Sequence, residues 1–174
     1  MKFKPIILAC FLLAISFAFQ NSAKKYINPF LGLKYDKVIA YDYNGQGGRI
    51  IINNGNLSSA IKKVHTLTNN QINKINQVLG DTSTYGGSTF SCFDPHLGLV
   101  YYLDNKIIAH VSICLSCNFL SSSIKIPAIE QEHKKIKVGE NHSYFAHGFT
   151  ELGSNEISKL CKELQFSHCK TKYD

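Results

Sequence analysis

Four residues near the middle of the chain have side chains and spacings that thiol or metal chemistry can use. Cys92 and His96 are separated by three residues, and Cys114 and Cys117 by two. Three thiolates and one imidazole suit tetrahedral zinc and also bind copper. The thiols can instead form a structural disulfide, either from Cys92 to one of the other two or within the Cys114–Cys117 pair. Dithiol redox exchange at Cys114 and Cys117 is a third chemistry, and the residue types alone leave all three open.

The redox interpretation of the Cys-Leu-Ser-Cys motif has a specific weakness. Redox enzymes of the thioredoxin type lower the pKa of their first cysteine with a helix N-terminus. The residues after Cys117, from Asn118 to Ser123, have no helical period and are typical of a loop. A c-type haem is excluded because Asn118 stands where that motif requires His. We therefore favour a structural disulfide, with zinc or copper binding and redox chemistry as the alternatives.

A predicted β-hairpin explains how residues more than twenty apart in sequence meet. Gly98 to Leu103 and Lys106 to Ile113 are apolar runs on either side of Asp104-Asn105, two residues that tolerate turn geometry. A two-residue turn there pairs Leu103 with Lys106 and, further along the strands, Pro95 with Cys114. The pairing brings Cys92 and His96 to the end of the hairpin where Cys114 and Cys117 lie. All four candidate ligands are therefore predicted to converge.

The N-terminus predicts export. Lys2 and Lys4 precede an apolar run from Pro5 to Phe19, which is the layout of a signal peptide over residues 1–23. The run is shorter than the ~20 residues of a membrane span. We expect cleavage near Ala18 to Ala23 and a periplasmic, cell-surface or secreted protein, for which an uncleaved leader would be the only contact with the membrane.

Export places the cysteines in an oxidising compartment. The six cysteines include Cys10 in the leader, and the other five cannot all pair within one chain. At least one thiol is therefore free, bound to a metal or bonded to another molecule.

The charge pattern argues against a nucleic-acid partner. The net charge is +7, but the lysines are spread along the chain and Arg49 is the only arginine. Proteins that read base sequence use Arg for bidentate contacts and gather positive charge on one face. A mildly basic exported protein with an envelope protein as partner fits this pattern better.

Strands and two helices are predicted around the central stretch. Lys37 to Tyr43 and Arg49 to Ile52 are predicted to form a first hairpin across a Gly-rich turn, with a third strand within 57–67. A capping box at Thr68 and Gln71 predicts a helix at about 68–79. Ser154 or Asn155 is predicted to cap a second helix at about 154–166, and Ile124 to Pro127 read as an edge strand. The sequence thus predicts one α+β domain over residues 24–174. Its sheet is mainly antiparallel, with two hairpins plus extra strands and both helices packed on it.

The remaining cysteines and histidines are given ordinary structural interpretations. Cys161 lies on the apolar face of the second helix, so we expect a small buried side chain rather than a reactive thiol. Four other histidines are too scattered to build a site and are expected on the surface: His133, His142, His147 and His168.

The stretch Cys92-Phe93-Asp94-Pro95-His96, followed by Ile113-Cys114-Leu115-Ser116-Cys117, resembles a group of small exported bacterial proteins. Their pattern is Cys-Phe-x-Pro, one or two basic or His positions, a strand, and a closing Ile-Cys-x-x-Cys. The resemblance covers roughly residues 90–120, and some members carry His where this chain has Leu97. It implies a bacterial source and a site in this stretch, and it implies no particular reaction.

Two functions from different classes follow from these residues. The favoured one is a non-enzymatic binding or interaction domain in which the Cys/His cluster is a disulfide or metal staple. The alternative is an envelope thiol-disulfide oxidoreductase or a zinc- or copper-handling protein. No catalytic or cofactor-binding residues are assigned, and the candidate metal ligands are Cys92, His96, Cys114 and Cys117.

Overall fold

The computed structural model describes residues 27–130, 135–138 and 142–174, so the predicted leader lies outside the described residues. The helices are α1 (Asn69–Gly80) and α2 (Glu151–Glu163), and short 3-10 helices span Pro29–Gly32, Thr82–Thr84 and Pro127–Ile129. The strands are β1 (Lys37–Tyr43), β2 (Ile52–Asn53), β3 (Asn56–Leu57), β4 (Ile61–Thr66), β5 (Tyr85–Gly87), β6 (Leu97–Leu103), β7 (Lys106–Cys114), β8 (Phe119–Ser122), β9 (Lys135–Val138), β10 (His142–Phe145) and β11 (Gly148–Phe149). The predicted α+β class is confirmed.

The main sheet has five antiparallel strands in the order β4-β1-β6-β7-β8. Strand side chains alternate between its two faces. One face buries residues such as Val38, Leu99 and Val111 against the apolar sides of both helices. The other face carries Tyr41, Tyr43 and Val100 and is covered by Ile51 and Ile52. Three two-stranded sheets complete the fold: β2–β3, β5–β11 and β9–β10.

The first helix follows its sequence signals closely. The Thr68 side chain accepts from the Gln71 backbone N–H, and the Gln71 side chain accepts from the Thr68 N–H, so the predicted capping box is present. Both contacts satisfy backbone N–H groups that a helix start leaves without a partner. Ile72, Ile75 and Leu79 are buried, as their shared helical face requires.

The second helix begins earlier than predicted. Thr150 is its N-cap, because its hydroxyl accepts from the Gly153 N–H at 3.2 Å, whereas the predicted cap residue Ser154 is buried inside the first turns. The helix also ends three residues before the predicted end, at Glu163, and Gln165 adopts a left-handed conformation with φ of 55°. The chain turns back at that point.

Two strand predictions are wrong. β1 pairs with β4 and β6 and not with residues 49–52, so the first predicted hairpin does not exist. Residues 118–123, predicted as a loop, contain β8, while Ile124 to Pro127 form no strand. A serine-rich edge strand can form because its pairing with β7 uses backbone groups only, for example between Ser112 and Ser121.

The second hairpin is confirmed, with a shift in register. Asp104 and Asn105 have φ values of 50° and 62°, the left-handed turn conformation, and Leu103 pairs with Lys106 as predicted. A bulge between Tyr101 and Tyr102 then shifts the pairing by one residue. Leu97 consequently lies opposite Ile113.

Within the described ranges, neither helix combines the length and apolar composition that a membrane-spanning helix requires.

Candidate functional site

Cys114 and Cys117 form a disulfide at the end of β7. Both are almost fully buried, and their sulfurs accept long hydrogen bonds from the backbone: Cys114 Sγ from the Cys117 N–H at 3.2 Å, and Cys117 Sγ from the Asp94 N–H at 3.4 Å. The chain continues through Asn118, with φ of 64°, into β8. A turn and a strand therefore follow the motif where a thioredoxin-type site has a helix.

Cys92 lies on the chain segment beside this disulfide, but Cys92 is not one of the two bonded cysteines. Its thiol is free and exposed. Phe90 donates its backbone N–H to the Cys117 carbonyl at 3.0 Å, and Phe93 stacks on Phe119 with ring centroids 4.7 Å apart. Cys92 is thus held near Cys117 by contacts on both sides of it in the chain.

His96 is fixed by the backbone of two strands. Its N–H donates to the Ile113 carbonyl at 3.1 Å, and its carbonyl accepts from the Tyr43 N–H, also at 3.1 Å. Its ring Nδ1 lies 3.0 Å from the Tyr43 carbonyl oxygen. Because a carbonyl can only accept, Nδ1 carries a proton and Nε2 is the ring atom left for other partners.

The imidazole of His96 stacks on that of His168, with centroids 3.8 Å apart and planes 15° from parallel. The sequence prediction treated His168 as an isolated surface residue, so this partner was missed. Burial lowers the pKa of His168 below its ordinary value, and the positive charges of His96 and Lys62 lower it further, whereas Asp42 opposes them.

Asp42 and the second disulfide place His168. The Asp42 carboxylate is fully buried and accepts from the Ser167 N–H at 2.9 Å and from its hydroxyl at 2.8 Å. Cys161 on α2 is bonded to Cys169. Cys161 is buried as predicted, whereas its bond to Cys169 was not predicted. Together, a carboxylate on β1 and a disulfide to α2 hold the segment that carries His168.

A cleft of about 180 Å³ lies between these two segments. One wall is Leu115 and Ser116, the two residues enclosed by the Cys114–Cys117 bond. Another part of the lining is Ser167 and His168, which lie inside the Cys161–Cys169 loop. His96 and Lys170 complete the lining. Each disulfide therefore closes the loop that forms one wall of the same cleft.

The four predicted metal ligands are brought to one end of the sheet, but not as a ligand set. Among the residues that the structure describes, no group of three or more His, Cys, Asp or Glu side chains is placed to hold a metal ion. Cys114 and Cys117 are bonded to each other, and a disulfide sulfur is not a thiolate ligand. The zinc or copper site stays a prediction, and it applies to the reduced protein.

No protein-family model, curated protein or solved structure matches this chain. Two disulfides indicate an oxidising environment outside the cytoplasm.

Proposed function

We propose that the protein is an exported, non-enzymatic binding domain whose binding site is the cleft between His96, Ser116 and His168. In this proposal the two disulfides are staples that hold the cleft walls. The observation that carries it is that two disulfides in different parts of the chain each close a loop, and residues of both loops line the same cleft. A site that is rigid before its ligand arrives loses less conformational entropy on binding. The same bonds support a periplasmic, cell-surface or secreted location.

The surroundings of Cys114 and Cys117 favour a staple over a catalytic disulfide. Cys114 has no exposed surface and Cys117 has 1% of its surface exposed, so neither sulfur is open to an attacking thiolate in this conformation. The Asp94 N–H bonded to Cys117 Sγ and the Phe90 N–H bonded to the Cys117 carbonyl also tie the segment 90–94 to the motif. The bond thereby connects three parts of the backbone: β7, β8 and the segment before β6.

One observation favours thiol-disulfide exchange as a second candidate function. Cys92 is a free, exposed thiol on the segment bonded to Cys117. If Cys92 thiolate attacked Cys117 Sγ, a Cys92–Cys117 bond would form and Cys114 would leave as the thiolate. The exchange moves the disulfide without any added oxidant. Burial of Cys114 opposes it, because that thiolate would be formed away from water.

Amide hydrogen exchange, measured segment by segment, tests the staple. We expect the double variant Cys114→Ser/Cys117→Ser to exchange at least about tenfold faster at residues 115–118, because loop closure by the bond no longer restrains that turn. The double variant Cys161→Ser/Cys169→Ser should do the same at residues 166–170. The hairpin amides of residues 99–109 serve as the internal control and should change little in either variant.

Unchanged exchange at both walls would contradict the proposal. The wild-type protein in a glutathione buffer of cytosolic poise provides a second measurement that needs no variant. A staple stays oxidised there and the walls stay protected, whereas a disulfide built for exchange opens. Opening that is lost in Cys92→Ser would favour the second candidate function instead.

A further inference from the structure

A second pocket, of about 550 Å³, lies at the other end of β6 from His96. It opens between the segment that precedes β1 and one face of α1, and it shares no lining residue with the cleft described above. Its apolar wall is formed by Phe30, Leu31, Leu33 and Leu103. Small-molecule sites have volumes of ~300–1,000 Å³ and combine apolar walls with a few polar groups. The size and the wall of this pocket match that description.

The segment that carries this wall is anchored to α1. Asn28 Nδ2 donates to the Asn76 carbonyl at 3.0 Å, and Asn28 Oδ1 accepts from the Phe30 N–H at 2.9 Å. Phe30 is buried, with its ring centroid 5.7 Å from that of Tyr101. A Cβ atom on residue 80 would overlap the Asn28 side chain, so Gly80 allows this close approach. The pocket therefore exists before a ligand arrives, which lowers the entropy cost of binding.

A chain of hydrogen bonds connects the core to this pocket. Tyr101 is fully buried, so its hydroxyl proton needs an acceptor, and Asn76 Oδ1 lies 2.7 Å away. That contact fixes the orientation of the Asn76 amide, whose Nδ2 then donates to the Tyr35 hydroxyl oxygen at 3.4 Å. The Tyr35 proton is left as a donor for a group in the pocket. Asn73 and Gln77, four positions apart on α1, add two exposed amides to the lining.

Among the described lining residues, Lys34 is the one charged group. It is exposed, and within the described ranges its ammonium forms no ion pair. Asp36 and Asp104 adjoin lining residues in sequence, but neither lines the pocket, and Asp36 accepts from the Asp104 N–H at 2.8 Å. Lys37 and Lys106 lie within two positions of these acids in sequence. The lining therefore presents a positive charge without a carboxylate to compensate it.

We propose that this pocket binds a small fatty acid, with its carboxylate at Lys34 and Tyr35 and its aliphatic chain along the apolar wall. The ammonium and the hydroxyl proton are two donors for the two carboxylate oxygens, and hydrogen bonds to a charged acceptor are the stronger kind. Leu31 and Leu103 leave 76% and 37% of their surfaces exposed, and an aliphatic chain would remove part of that apolar surface from water. The ligand thus meets the polar and the apolar part of the lining together.

Titration of the oxidised protein with octanoate at pH 7, followed by its backbone amide NMR signals, tests the proposal. We expect saturable shifts confined to residues 30–35, 73–77 and the end of β6. In the series butanoate, hexanoate and octanoate, affinity should rise about fourfold for each methylene group that becomes buried. Lys34→Met should weaken octanoate binding about tenfold and leave binding of the neutral 1-octanol unchanged. Tyr35→Phe should weaken octanoate binding about fivefold, while its ring keeps the edge contact with Tyr101 at 5.5 Å.

Lys106→Met is the matched control, because it removes an exposed lysine at the same end of the sheet that does not line the pocket. It should leave octanoate binding unchanged. The proposal is overturned if octanoate up to about 10 mM shifts these amides no more than acetate at equal ionic strength. Equal octanoate affinity in Lys34→Met and the wild type also overturns it.

Two other occupants of the pocket have distinct signatures, and either result would overturn the proposal. If the same amides shift with protein concentration in the absence of octanoate, the pocket is a contact between two copies of this chain. If they shift with phosphatidylglycerol vesicles but not with octanoate, the pocket is a membrane-binding surface. The ring signals of His96 and His168 serve as the internal reference, because they should stay constant when octanoate fills a pocket at the other end of β6.

Discussion

At the scale of single residues, the site depends on one buried carboxylate. Asp42 lies on β1, an interior strand of the main sheet, and uses both oxygens to hold Ser167, the residue before His168. Hydrogen bonds to a charged group are stronger than neutral ones and are costly to break when buried. The stacking of His96 and His168, 72 positions apart in sequence, therefore depends on a carboxylate that is hydrogen-bonded to Ser167 and not to either ring. Asp42 is a positioning residue for the cleft.

The substitution Asp42→Asn should destabilise the protein and release the 167–170 segment. The amide introduces a donor facing the Ser167 N–H and hydroxyl, so we expect the free energy of unfolding to fall by about 1–3 kcal/mol. Urea unfolding measures the loss, and the ring shifts of His96 and His168 report whether the stack separates. Asp36→Asn, an exposed carboxylate at the other end of the sheet that accepts from the Asp104 N–H, should cost less than about 0.5 kcal/mol. Unchanged ring shifts in Asp42→Asn would exclude the positioning role.

No local pattern could have predicted the histidine pair. His168 follows the end of α2 in a segment without periodicity, and its ring meets His96 only because the chain turns back at Gln165. The Cys161–Cys169 bond was also not predicted. The helical spacing of Cys161 was enough to explain its burial, so nothing in the sequence called for a partner. The convergence of Cys92, His96, Cys114 and Cys117, in contrast, followed from a two-residue turn and needed no tertiary information.

At the scale of elements, local sequence signals predicted the helix start and the hairpin turn correctly. The pairing of strands that are distant in sequence could not be predicted. The Thr68–Gln71 capping box and the Asp104–Asn105 turn each act within four residues, and both are present. β1 pairs with β4 and β6, which lie about twenty and sixty residues further along the chain, and no composition rule selects them. The bulge at Tyr101 and Tyr102 shifts the register by one residue, which a regular pairing rule cannot anticipate.

A close approach between two segments aligns His96. The Gly45 N–H donates to the Pro95 carbonyl at 2.9 Å, next to the two hydrogen bonds that hold His96 itself. A Cβ atom on residue 45 would overlap the backbone oxygens of Pro95 and Arg49, which cannot rotate away as a side chain would. Gly45 therefore allows the segments before β6 and after β1 to lie side by side.

Gly45→Ala should separate these segments. We expect a loss of about 1–3 kcal/mol in the free energy of unfolding, as for other overpacked sites, and a change in the His96 ring shifts. Gly32→Ala is the matched control because a Cβ atom there meets nothing within 4 Å. Thermal or urea unfolding of the two variants gives the comparison, and equal stability would show that the 45–95 contact is not restrictive.

At the scale of the whole molecule, the chain carries positive charge that grows in acid. The net charge is +7 with all seven histidines neutral, so protonation of the histidines adds to an existing excess. Burial lowers the pKa of His110 below its ordinary value, and burial with neighbouring charges does the same for His168. Both groups bind protons more readily in the unfolded chain than in the folded one.

Stability should therefore decrease as the pH falls below about 6.5, the ordinary pKa of these histidines. Between that pH and the lower folded-state pKa, the unfolded state holds more protons, so the free energy of unfolding increases with pH. Glu156 and Asp174, whose pKa values are lowered, act in the same direction only below about pH 4.5. Urea unfolding between pH 8 and 5 measures how the free energy of unfolding changes with pH. His110→Gln should make that change smaller. A slope of opposite sign would refute the assignment.

Because two disulfides close its loops, the cleft depends on how the chain matures as well as on its sequence. A newly synthesised chain has every thiol reduced, and it completes both walls only after Cys114 has joined Cys117 and Cys161 has joined Cys169. If the cleft binds a ligand as proposed, the ability to bind is acquired during maturation, when the chain meets an oxidant. A molecule retained in a reducing compartment would have the same sequence and the same sheet, yet it would not bind the ligand.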